Sequence, residues 1–370
     1  MHSISCEVQP SSISKHVQQL YTGFFMLKKR GLISLTQKSF DKFSYCNKKP
    51  QHIKDARKTH LRVVLNGRIR VYYDNHDSWE VDEEFLSDSD IYFKRSYSTR
   101  KLESYGCLRS KIYPLGLNYL VYPDNIDRFA LNRCLLLGDA GEKIHSLIGS
   151  LKFLDEFFFM PRVRRMEALP CIADDPRILF MVRAWNPFDS PGRTQEKIEE
   201  RKEINETRAA CVNLLKSEFK DRFYGGFIVD EYTKNNYPGL LMPDNKMSSQ
   251  KNYIKTLKSY PICIATTGLH GSIGWKFAEY IAFSKAILSE KLNYEVPGGF
   301  SEGTNYLEFT SPNECAEKAE RLMSNGISRR HLMYSNAKYY NDFLRPDSLI
   351  LNTIITALSK YSQDLGPETF

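Results

Sequence analysis

No apolar stretch in this 370-residue chain comes near the roughly 18–20 residues that a membrane-crossing helix needs. Runs such as Phe157–Met160 and Cys134–Leu137 fall far short. Met1–Cys6 lacks a basic stretch followed by an apolar core, so no signal peptide is expected. None of the eight cysteines forms a C-x-x-C, and the histidines show no zinc spacing. Reduced thiols in a cytoplasmic protein without a structural metal are the economical reading. With 20 Gly, 16 Pro and no sustained heptads, collagen-like, mucin-like and coiled-coil classes fall away. Neither G-x-x-x-x-G-K-[ST] nor G-x-G-x-x-G occurs. No RNP, KH or zinc-finger pattern appears, and no Lys/Arg run exceeds three.

What is present is an ordinary globular composition, 42% hydrophobic, with 22 Phe and 22 Tyr that need a core to pack into. At roughly 100–200 residues per domain the length suggests two, expected over 1–172 and 173–370. Charge is uneven. Residues 1–165 carry 27 Lys/Arg against 18 Asp/Glu, net +9, whereas 166–370 carry 25 against 26, net −1. Residues 1–73 alone are net +11, with Glu7, Asp41 and Asp55 their only acids. Such asymmetry points to an anionic partner: nucleic acid, anionic lipid or a phosphorylated substrate. A basic, solubilising surface would look the same.

Short apolar strands alternate with amphipathic helices, which predicts α/β layers with mainly parallel sheets. Ile4–Val8 opens the chain as a strand. Ser11–Ser14 offers N-caps to a helix over 13–30 that ends at Gly31. Strands are expected at Leu32–Leu35, Leu61–Leu65, Arg70–Tyr73, Ile91–Phe93 and Lys111–Pro114. After Asp174-Asp175-Pro176 the pattern restarts with the strand Ile178–Val182. A charge-laced helix follows over Gln195–Lys216, and its charges mark it as an exposed outer element. Strands Ile262–Ala265 and Ala286–Ser289 flank a helix at Trp275–Phe283, and a helical region closes the chain from Asn313. Two α/β units joined through a proline imply a cleft between domains.

The strongest local signal runs from Thr267 to Ala282: a strand end, a loop punctuated by Gly268, Gly271 and Gly274, then a helix. Glycines let backbone amides approach an anion, and the helix N-terminus adds a positive dipole end. Ser272 and Lys276 add a hydroxyl and a cation, and Glu279 suits a ribose diol. Together they make a cradle for a nucleoside diphosphate. A glycine-rich turn ahead of a helix is equally a structural device, and it names no reaction.

The stretch Cys263–Phe309 resembles the C-terminal domain of GT-B-fold glycosyltransferases, including spore-coat-type and polysaccharide-synthesis members. The residues that carry the likeness are Ile264–Gly271, Trp275–Tyr280, Ala286–Glu290 and Pro297–Phe309. The tail, with Arg329-Arg330, Asn336-Ala337 and Tyr339-Tyr340, resembles the family's closing helices. The resemblance implies two Rossmann-like domains facing a cleft, the C-terminal helix crossing back to the first. It implies a donor nucleotide-diphosphate sugar against Arg183, His270, Gly271, Ser272, Lys276 and Glu279. It further implies a hexosyltransferase-type activity that needs neither metal nor any other cofactor. Retaining members often carry two glutamates with seven residues between them. Glu279 matches the second, but Gly271 stands at the first, which leaves the stereochemistry open.

The acceptor side falls to the first domain. His16 stands where some inverting GT-B enzymes place their general base, and a neutral imidazole there would take the acceptor hydroxyl proton. A surface or capping histidine is the plainer reading. Asp74, His76 and Asp77 follow a strand, where α/β sheets gather their sites. Asp77 is the candidate to orient the imidazole or act as base, with an Asx-turn the alternative. Lys94-Arg95 is another strand-end pair, with solvated charges as its plainer reading. Asp88-Ser89-Asp90 is a D-x-D, but not just beyond a long apolar strand, so no metal site is assigned to it. The expected partners are a nucleotide sugar and a glycan or lipid-linked acceptor. The basic half suggests peripheral contact with an anionic inner membrane face. Nucleic-acid binding through residues 1–73, or a non-catalytic GT-B-like scaffold, are the alternatives; the former is not expected.

Overall fold

The computed structural model describes residues 3–9, 14–38, 59–124, 160–243 and 250–365. The chain divides into two compact units. The first comprises 1–164, 294–298 and 341–370; the second comprises 165–293 and 299–340. The chain leaves the first unit and returns to it, as the family resemblance implied for the C-terminal helix.

The first unit is a six-stranded sheet ordered β2-β1-β3-β4-β5-β6. In chain order these are β1 (Ile4–Gln9), β2 (Ile33–Gln37), β3 (His60–Leu65), β4 (Ile69–Asp74), β5 (Ile91–Lys94) and β6 (Ile112–Pro114). Between β1 and β2 runs α1 (Gln18–Lys29), preceded by a turn Lys15–Val17. Gly31, at φ 71°, takes the left-handed conformation that stops the helix. The amide of Leu32 reaches back to the Leu27 carbonyl (3.1 Å) and that of Gly31 to Lys28 (2.9 Å), a Schellman closure.

The sheet is not wholly parallel. β3 lies antiparallel to both β1 and β4. It turns into β4 through Asn66-Gly67, both with φ between 50° and 70°. Alternate side chains cover both faces. Tyr73 and Phe93 join Leu20, Phe24 and Leu27 of α1 on one side. Tyr72 and Tyr92 join Leu86, Leu102 and Ile112 on the other. The helix Pro346–Leu365 adds Leu349, Ile350, Ile354 and Ala357 to the α1 side. The C-terminal helix is thus part of the first unit's core.

The second unit is a five-stranded sheet, parallel at every pairing, ordered β11-β10-β9-β7-β8. Its strands are β7 (Ile178–Val182), β8 (Phe223–Phe227), β9 (Ile262–Ala265), β10 (Ala286–Glu290) and β11 (Tyr306–Phe309). Every residue of β7 and β9 is buried, as befits parallel strands covered on both faces. The helices Gln195–Phe219 and Pro312–Ser324 share one core with β7, β9 and β10. The chain passes from β7 outward to β8, then returns to β9 and continues through β10 to β11. The winding therefore reverses between β7 and β9, the arrangement of a doubly wound, Rossmann-like unit. Among the described residues, no helix is long and apolar enough to cross a membrane.

Candidate functional site

Open α/β sheets bind ligands outside the carboxyl ends of the strands where the winding reverses. Here those ends are Val182 and Ala265. Arg183 follows the first and is exposed; Thr266 and Thr267 follow the second. The helix Trp275–Ala282 begins beyond the loop, and its N-cap, Gly274, makes no side-chain cap bond. Lys276, in the first turn, donates its ammonium to the carbonyl of Met181 on β7. It also lies 5.9 Å from the Tyr253 ring centroid. One turn on, Glu279 is buried and accepts the Tyr253 hydroxyl at 2.7 Å. Lys276 and Glu279, three residues apart on the helix, both approach Tyr253.

Their charges are mutually tuned. Burial pushes the Lys276 ammonium down to about 8; Glu279 opposes the shift, and the Arg183 and Arg208 cations reinforce it. Burial raises the Glu279 carboxyl, while the Tyr253 hydrogen bond and Lys276 hold it back. Arg183, Arg208 and Lys276 thus concentrate positive charge at the reversal point of the sheet.

The glycine loop differs from the expected cradle. Its amides are already engaged: Gly268 to the Ser272 carbonyl (2.8 Å), Gly271 to Gly268 (3.1 Å), and Ser272 to Leu269 (3.1 Å). The His270 amide donates to the Glu200 carboxylate at 2.5 Å. His270 is exposed at φ 60°, Gly271 follows at φ 64°, and Ser272 is buried. The left-handed backbone at Gly271 is what favours glycine there, since the Asn293 amide that a Cβ would meet is the tip of an exposed side chain. The loop braces itself through these bonds.

Sequence reasoning missed the side chains that hold this loop. Arg208, Asn205 and Glu200 all stand on Gln195–Phe219, the helix expected to be a solvated outer element. Its inner face is buried at Asn205, Arg208, Ala209, Val212, Leu215 and Phe219. Asn205 pins the backbone of Trp185 from both sides, accepting its amide and donating to its carbonyl, each at 2.8 Å. Glu290, at the end of β10, accepts the amide and hydroxyl of Thr267 (2.7 and 2.9 Å). The position of Arg208 among apolar residues at helical spacing was the available signal.

In the first unit, the carboxyl ends of β4 and β5 meet the start of β3. Asp74 Oδ2 accepts Lys94 Nζ at 2.6 Å and the Tyr92 hydroxyl at 2.7 Å, with His60 Nε2 at 3.4 Å. Asp74, Tyr92 and Lys94 are all but inaccessible. Burial alone would raise the Asp74 carboxyl, yet Lys94 and His60 hold it far below the usual carboxylate range. The solvated pair expected at Lys94-Arg95 is therefore an interior one. Arg95, also buried, pairs with Asp77 at 2.5 Å. Burial lowers His76, whose Nδ1 accepts the Ser78 amide at 3.2 Å.

His16 is half-buried in the turn before α1. Its carbonyl accepts the side-chain amides of Asn75 (2.8 Å) and Asn118 (3.0 Å). Asn75 thus links the His16 turn to the loop that carries Asp77. Asp88 and Asp90 are bound to Arg62, Arg70 and Tyr72 at 2.9–3.1 Å. Among the described residues, no His/Cys/Asp/Glu group is arranged to hold a metal ion.

No protein-family model and no curated protein matches the sequence. Among solved structures, the chain is similar to a glycosyltransferase from Rickettsia africae: 10% identity over 93% of this chain and 82% of that one, TM-score 0.43. It is similar to a UDP-GlcNAc 2-epimerase from Neisseria meningitidis, at 12% identity over 75% of this chain and 63% of that one, TM-score 0.37. It is also similar to an α,α-trehalose-phosphate synthase from Burkholderia vietnamiensis, at 12% identity over 75% and 64%, TM-score 0.40. The chain spans less than two thirds of the latter two.

Proposed function

We propose that this chain is a glycosyltransferase: its second unit holds a nucleoside-diphosphate sugar, and its first unit holds the acceptor whose hydroxyl receives the sugar. The observation that carries this reading is the convergence of Arg183 and Lys276 with buried Glu279 where the parallel sheet reverses its winding. Arg183 and Lys276 would neutralise the diphosphate, which is also the leaving group, so their charge acts where negative charge develops. Glu279, already accepting one hydroxyl from Tyr253, suits the ribose diol. His270, Gly271 and Ser272 shape the loop between the two. In the first unit, His16 would remove the acceptor proton, with Asp77, paired with Arg95, on the loop that Asn75 ties to the His16 turn. The nucleotide sugar is a substrate, and no cofactor is invoked.

The acceptor is proposed to be a glycan or lipid-linked hydroxyl. Peripheral contact with an anionic membrane from the cytoplasmic side would account for the basic excess of residues 1–73. Arg30, Arg62 and Arg70 in that stretch are paired with Asp347, Asp88 and Asp90. Lys42, Lys48, Lys49, Lys54, Arg57 and Lys58 lie outside the described residues.

The test is calorimetric titration with UDP, GDP, CDP and ADP, followed by mass spectrometry of nucleotide-sugar turnover. One nucleoside diphosphate is expected to bind, and at 100 times its Kd to stabilise the chain by about 2.7 kcal/mol. Glu279→Gln should weaken it about tenfold, roughly 1.4 kcal/mol. Absence of binding by all four overturns the proposal.

A further inference from the structure

Arg208 lies more than halfway along the helix Gln195–Phe219, yet its side chain reaches the reversal point of the sheet and is buried. All three of its nitrogen positions are engaged there. Nε donates to the Thr266 hydroxyl at 2.9 Å, Nη1 to the Arg183 carbonyl at 2.7 Å, and Nη2 to the Thr267 carbonyl at 2.9 Å. The two carbonyls belong to the two strand ends between which the winding reverses. The shared ladder of β7 and β9 covers only Ile178 against Ile262 and Leu179 against Cys263. Beyond those pairs, a single guanidinium spans the strands at their carboxyl ends.

We infer that Arg208 is a positioning residue of the anion site: it sets the spacing between Arg183 and the 266–274 loop, and so the geometry offered to a diphosphate. The inference rests on the nucleotide-binding reading of the second unit. A planar guanidinium has a fixed fork of donors, whereas an ammonium on a flexible stem is a point donor. Lysine can keep the charge at 208 but cannot hold two carbonyls and a hydroxyl in one plane. Loss of the fork leaves the β7 and β9 ends free to shift, and misplacement by about 1 Å is enough to cost a large part of an oriented interaction. The hydrogen bonds between Asn205 and the Trp185 backbone, and from the His270 amide to Glu200, remain, so the loops stay attached to the helix while the direct link between them is lost.

The experiment compares Kd for whichever of UDP, GDP, CDP and ADP binds tightest with Kd for its nucleoside, in wild type, Arg208→Lys and Thr266→Val. The nucleoside Kd divided by the diphosphate Kd isolates the diphosphate's share of binding. Arg208→Lys should cut that ratio tenfold or more while the nucleoside constant moves less than twofold. Thr266→Val, which removes only the Nε partner, should cut it two- to fivefold, and it carries the test if Arg208→Lys fails to fold. An unchanged ratio, or nucleoside and diphosphate weakening together, overturns the positioning role while leaving the nucleotide reading intact. A wild type that binds none of the four overturns both.

Discussion

Replacing Lys94 with methionine removes the ammonium that holds Asp74 ionised at the end of β4. Breaking a buried pair by deleting one partner costs about 3–5 kcal/mol, because the surviving charge has lost its compensation. Urea denaturation of Lys94→Met should show a loss of that order, and Asp74→Asn combined with Lys94→Met should regain part of it. At Lys276 the expected effect is on binding. Its pKa of about 8 means that the ammonium is charged below that pH and neutral above it. Nucleoside-diphosphate affinity should therefore fall as pH rises through about 8, and Lys276→Arg should remove the step, read by titration between pH 6.5 and 9.5. At this scale the sequence was informative where a charged residue sat on a patterned helix beside a glycine loop, as Lys276 and Glu279 do. It was silent where a charge acts across the fold. Nothing near Arg208 in sequence indicates that its partners are Arg183, Thr266 and Thr267, and nothing near Lys94 indicates Asp74.

Helix α1 and the helix Pro346–Leu365 meet where Gly23 faces Pro346 and Ile350. A Cβ on Gly23 would lie 2.5 Å from Cγ1 of Ile350 and would press on the Pro346 carbonyl. Gly23→Ala should therefore destabilise the first unit by about 1–3 kcal/mol, the usual cost of overpacking, despite alanine's better helix propensity. Thermal unfolding followed by circular dichroism would register it, and a rise in Tm would contradict the contact. Most elements could be read from pattern. Ile178–Val182 and Ile262–Ala265 are strands as expected, since an uninterrupted apolar run between polar residues fits a strand buried on both faces. The direction of β3 could not be read so simply, because alternation has the same period in parallel and antiparallel strands. The Asn66-Gly67 pair, a two-residue hairpin turn by its chemistry, was the residue-level sign of reversal.

Across the whole chain, the first unit is completed by its last residues. Gln19 donates to the Leu344 carbonyl at 3.0 Å, Tyr73 meets the Thr353 hydroxyl at 3.0 Å, and Arg30 pairs with Asp347 at 2.8 Å. A chain ending at Tyr340 should lose the cooperative unfolding of the first unit. Hydrogen exchange would show β1, β3 and β4 unprotected, with β7, β9 and β10 still slow. Length and composition pointed to two units, and the return of the C-terminal helix to the first was legible only through the family resemblance, not through any local pattern. It also sets an order of birth. The ribosome makes β1 and α1 before the second unit, and the helix that closes over α1 after it. At about 5–20 residues per second, the roughly three hundred residues between Lys29 and Pro346 take about 15–60 s to make. The second unit can therefore be finished while the first still waits, its apolar α1 face open to chaperones, for the helix that covers it.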